Sequence, residues 1–74
     1  MLTEPAEATA AYRALVDQEP TQVDWRYEFA QFLYEQGRLA EARRQLLILI
    51  AQQPNHRQAL SLLKSVTREI AGEK

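Results

Sequence analysis

The chain has 74 residues, 46% of them hydrophobic and 26% charged, with a net charge of −1 and no cysteine. That is enough for one small domain with one modest core, and it lacks the basic face that binding to a phosphate backbone requires. The absence of thiols excludes disulfides, cysteine-ligated zinc and thiol nucleophiles.

Ala, Leu, Gln, Glu and Arg dominate, and no strict alternation extends over five residues, so the expected class is all-α. Four helices are expected, at about 4–18, 22–36, 39–52 and 55–71. The first has Thr3 as N-cap and Pro5 in its first turn, where a missing N–H costs nothing. Its apolar stripe is Ala8, Ala11, Tyr12, Leu15 and Val16, and Glu19-Pro20 ends it. The second is capped by Thr21, with Asp24 three residues on as a capping-box partner. It carries Trp25, Phe29, Phe32 and Leu33 on one side and stops at Gly37, the residue suited to a left-handed C′ position. The third presents Ala42, Leu46, Leu49 and Ile50 and ends at Gln53-Pro54. The fourth starts at an Asn55 cap with Gln58 completing a box. Its apolar face is Ala59, Leu60, Leu63, Val66 and Ile70, and Gly72 lies just past its end.

The chain repeats itself. Pro20 and Pro54, Ala8 and Ala42, Tyr12 and Leu46, Leu15 and Leu49, Val16 and Ile50, Trp25 and Ala59, and Phe29 and Leu63 are each 34 residues apart. Thr21 and Asn55 keep the same offset. Breakers, caps and both apolar stripes therefore share one period, which with two helices per unit is the signature of a helical repeat array. On these residues the chain resembles the tetratricopeptide repeat family. Phe29-Ala30, Leu33, Gly37, Leu39, Ala42, Leu46, Leu49 and Pro54 look like one complete repeat, with Ala42 as the small residue where its two helices come closest. The resemblance implies antiparallel helix-turn-helix units in a fragment of a right-handed superhelix. It divides a single domain, 1–74, into the second helix of a preceding repeat (4–19), a complete repeat (21–54) and a terminal or capping helix (55–71). Two residues depart from the pattern: Arg26 stands where the family often has an aromatic, and Lys64 follows Leu63 where a small residue is usual.

The resemblance also implies a non-catalytic protein-interaction or scaffold module, with first helices lining a concave groove. It places Asp24, Tyr27, Gln31 and Tyr34 on the groove side of the second helix, a spacing of three, four and three that keeps them on one face. Gln58, Ser61, Ser65 and Arg68 are their counterparts on the fourth helix. Tyr34 has an equally good reading as a packing residue. Some family members clamp a peptide's terminal carboxylate with Lys and Asn; the matching places here hold Tyr27 and Gln31 beside Glu28, which favours an apolar or basic segment of a partner protein or peptide. The alternative function is homo-oligomerisation or assembly within a larger protein, through Ala11 and Leu15, through Val66 and Ile70, or through Leu47 and Ile48. The last pair either tucks under a neighbouring helix or meets another chain.

No catalytic residue, metal or cofactor is expected. The single histidine, His56, reads as an exposed residue at a helix start, without partners at ligand spacing. Two glycines cannot build a phosphate loop. Glu28 and Glu35 read as a solvated edge, and Arg43-Arg44 as an outer-face pair meeting Glu41 or solvent, so nucleic acid is not an expected partner. The apolar run Leu46–Ala51 is about a third of the length that spans a bilayer, so no membrane insertion is expected. The first five residues lack a basic or apolar signal region, which favours a cytoplasmic location.

Overall fold

A computed structural model describes residues 5–72. They form four helices, α1 (Pro5–Gln18), α2 (Val23–Glu35), α3 (Leu39–Gln52) and α4 (Arg57–Gly72), with no strand among the described residues. The starts of α1 and α3 are 34 residues apart, as are those of α2 and α4, so the period of the sequence is also the period of the structure. The connections are too short for anything but antiparallel neighbours. The helix α2 packs on α1 and α3, α3 packs on α4, and α2 also touches α4. The Cα envelope measures 32 × 29 × 16 Å, and its thin dimension is that of two helix layers. No helix among the described residues is long and apolar enough to cross a membrane.

The core follows the two apolar stripes. Phe29, Leu33, Leu46, Leu49 and Val66 are completely buried, joined by Val16 and Leu39 at the margins. Burying each large side chain contributes about 1.5–3 kcal/mol. Ala30, Ala42 and Ala59 have no exposed surface. A larger side chain at any of them would have to displace its neighbours.

The turn between α2 and α3 is a Schellman motif. The Arg38 N–H donates to the Leu33 carbonyl at 2.9 Å and the Gly37 N–H to the Tyr34 carbonyl at 3.1 Å. Gly37 has φ +79°, a conformation that costs an L-residue energy and glycine nothing.

The other helix starts differ from the sequence reading. Thr21 does not cap α2 and makes no box with Asp24. The cap position is Gln22 in extended backbone, without a side-chain bond, because a turn bond from the Gln22 N–H to the Glu19 carbonyl keeps Thr21 inside the connection. Likewise Asn55 does not cap α4. The His56 N–H closes a turn onto the Gln53 carbonyl, which shifts the start by one residue, and the His56 side chain becomes the cap. The helix α4 runs through Gly72 rather than ending before it. The Thr3 cap and the Glu4 start lie outside the described residues.

Three charge and surface readings are also decided. Glu41 pairs with Arg13 of α1 and with Arg38, not with Arg43 or Arg44, both of which are exposed. Val66 is core and cannot form an open face, while Ala11 is exposed and Leu15 and Ile70 are half-buried. Leu47 and Ile48 do not tuck under a neighbour; they are 52% and 38% exposed, and Leu60 joins them at 42%.

Arg26 is the unexpected core residue. Its Nη1 donates to Gln45 Oε1 at 2.8 Å, its Nη2 to the Pro20 carbonyl at 3.3 Å, and its Nε has no partner. The Pro20 carbonyl also accepts from Gln52 Nε2 at 3.1 Å, so one turn oxygen gathers donors from α2 and α3. Burial pushes the guanidinium pKa below its ordinary value, against the opposing pull of Asp17.

Candidate functional site

The face of α2 opposite its core residues carries Asp24, Tyr27, Glu28, Gln31 and Glu35, at helical spacings that line them up along one side. With Phe32, with Tyr12 from α1, and with His56 and Gln58 at the start of α4, they line a concavity of about 450 Å³. Its aromatic walls are held by packing. The Tyr12 ring stacks on Phe29 at 5.7 Å and leans on Phe32 at 5.4 Å. Tyr27 meets the His56 imidazole at 5.5 Å.

His56 is fixed from two sides. Its Nδ1 accepts the Ala59 N–H at 3.0 Å, capping α4, while its carbonyl takes the Leu60 N–H at 3.0 Å as the first bond of that helix. That bond requires an Nδ1 that carries no proton.

The electrostatics of the concavity are one-sided. Asp24, Glu28 and Glu35 are its charged lining residues, with no Lys or Arg among them. Among the described residues none of the three enters an ion pair. Asp24 lies in the first turn of α2, where the helix dipole favours a carboxylate. Glu35 ends the same helix, whose last turn holds no basic residue, so both the dipole and the carboxylate are negative there. The arrangement suits a cation flanked by apolar or aromatic surface. Among the described residues no group of His, Cys, Asp and Glu is disposed to hold a metal ion.

Of the eight groove residues expected from sequence, Asp24, Tyr27, Gln31 and Gln58 come together here. Tyr34 does not: its ring packs on the core and its hydroxyl donates to Glu69 Oε2 of α4 at 3.4 Å. Ser61, Ser65 and Arg68 do not line the concavity either. The sequence reading missed Tyr12, Glu28, Phe32, Glu35 and His56 as lining residues. Glu35 had a signal, since it follows Glu28 by two turns on the same face. Tyr12 and His56 had none, because they reach the site from other elements.

A family model described as tetratricopeptide repeat matches residues 3–66. No curated protein and no solved structure matches the chain.

Proposed function

Because the chain belongs to the tetratricopeptide repeat family, whose members generally mediate protein–protein interaction or scaffolding and are typically non-catalytic, we propose that it is an interaction module that binds a basic, partly apolar segment of a partner protein in the concavity on α2. In this reading residues 1–74 are one domain: the second helix of a preceding repeat (4–19), a complete repeat (21–54) and a terminal helix (55–71). The observation that carries it is a single concavity with aromatic walls and three carboxylates that enter no ion pair among the described residues. A Lys or Arg side chain meets both elements at once, through charge and through the ring faces. A peptide ending in a free carboxylate meets only repulsion.

The test is titration calorimetry with an amidated alternating lysine–leucine octapeptide against its glutamate–leucine analogue. The lysine peptide binds and the glutamate peptide does not. Tyr27→Ala weakens binding roughly tenfold, as expected for an aromatic anchor, while the helical circular dichroism signal stays. Equal binding of the two peptides, or a Tyr27→Ala variant that folds and binds unchanged, refutes the reading.

A second reading, self-association, is favoured by the adjacent exposed pair Leu47 and Ile48 on α3. It expects concentration-dependent sedimentation that Leu47→Glu abolishes. A monomer at all concentrations rejects it.

A further inference from the structure

We propose that His56 makes the concave site pH-dependent: the neutral ring caps α4 and leaves the carboxylates to a cationic partner, whereas the imidazolium releases the cap and competes for them. The proposal rests on the reading of that concavity as a partner site and adds its regulation.

The geometry supplies both halves. The cap bond requires an unprotonated Nδ1, because the Ala59 N–H is a donor and two donors cannot share a bond. Protonation therefore breaks the bond and sets a positive ring against the positive end of the α4 dipole. Beside Tyr27, the same ring lines the concavity, whose wall also carries Asp24, Glu28 and Glu35. The ring touches Tyr27 of α2; the three carboxylates of α2 and Tyr12 of α1 line the same concavity, and α3 contributes no lining residue. On its own helix the adjacent charged group is the exposed Arg57. A proton taken up by His56 thus turns a neutral cap on α4 into a cation in the wall of the concavity. It lowers the negative charge offered to a ligand by one unit and loosens the first turn of α4, where Gln58 contributes to the wall.

The direction follows. As pH rises from 5 to 8, the interval in which imidazoles change charge, the cap forms and cationic ligands bind more tightly. As pH falls both effects are lost. His56 is the chain's one histidine, so its ring signals report the event without overlap.

The experiment uses the full chain and two readouts. Without peptide, the Ala59 amide proton resonance and the His56 ring resonances are followed by NMR from pH 8 to 5.5; they titrate together. With the amidated lysine–leucine octapeptide, affinity at pH 5.5 is roughly threefold or more below that at pH 8, the size expected for one exposed charge interaction. His56→Asn keeps a cap that does not titrate and retains the same carboxylates, so it folds and, whatever its affinity at pH 8, loses most of the ratio between the two pH values. His56→Ser serves as a second non-titrating cap. An Ala59 amide that stays still while the ring titrates, or a pH ratio unchanged in both variants, overturns the proposal. Failure of the peptide to bind the wild type at pH 8 removes the partner-site reading instead, and the peptide-free titration then decides the cap switch alone.

Discussion

Methionine at Arg26 and at Gln45, singly and together, tests what holds α2 against α3. Arg26 is 6% and Gln45 7% exposed. One short bond joins them, a longer one reaches Pro20, and Nε is bare. Gln45→Met removes the short bond and leaves a buried cation with the long one, a loss of about 2–3 kcal/mol for a bond to a charged group. Arg26→Met leaves the Gln45 amide oxygen buried and unpaired, a loss of about 1–3 kcal/mol, reduced by relief of the guanidinium's desolvation. The Pro20 carbonyl adds nothing to that loss, because Gln52 still bonds it. The double variant replaces both partners with apolar side chains of similar length and lies within about 1 kcal/mol of the wild type. Urea unfolding at pH 7, followed by circular dichroism, gives the four free energies, provided the denaturant slope stays constant. A double variant as unstable as the two singles added together would falsify the coupling.

Other substitutions probe the turn and the close approach of the helices. Gly37→Ala costs about 1–2 kcal/mol in thermal or urea unfolding, since a Cβ meets nothing within 4 Å and the positive φ is the whole penalty. Gly37→Asn recovers part of it, and an Ala variant as stable as the wild type contradicts the Schellman assignment. Ala42→Leu inserts three carbons where no surface is exposed and costs about 1–3 kcal/mol or more, enough to unfold much of so small a chain at 37 °C. Calorimetry showing an unchanged melting temperature disproves the tight contact. Removing the exposed Arg13–Glu41 pair by Glu41→Ala costs under about 1 kcal/mol, and less at high salt.

Most of the fold was legible because its determinants are local and recur. Gly37, Pro20 and Pro54 mark the turns, and the same offset carries the stripes of α1 into α3 and of α2 into α4. The caps were less legible. Thr21 and Asn55 have strong capping chemistry, yet the turn bonds at Gln22 and His56 decided where each helix begins, and those depend on the route of the backbone rather than on residue preference. Arg26 was read as a mere departure from the family pattern, since nothing in its neighbourhood announces Gln45, which lies 19 residues on. The site was half legible. The α2 contributions share one helical face and follow from spacing. Tyr12 and His56 converge on it only through tertiary packing, and Tyr34 was drawn off by its contact with α4.

The helix α1 packs on α2 and meets α3 through the exposed Arg13–Glu41 pair, whereas α2 and α3 each pack on more than one neighbour. The least expensive excursion from the native state is therefore the lifting of α1, and its amides exchange with solvent before those of α3. That excursion also takes Tyr12 out of the concavity. Any ligand resting on Tyr12 draws α1 down by mass action, so occupancy and the tethering of the first helix rise and fall as one equilibrium.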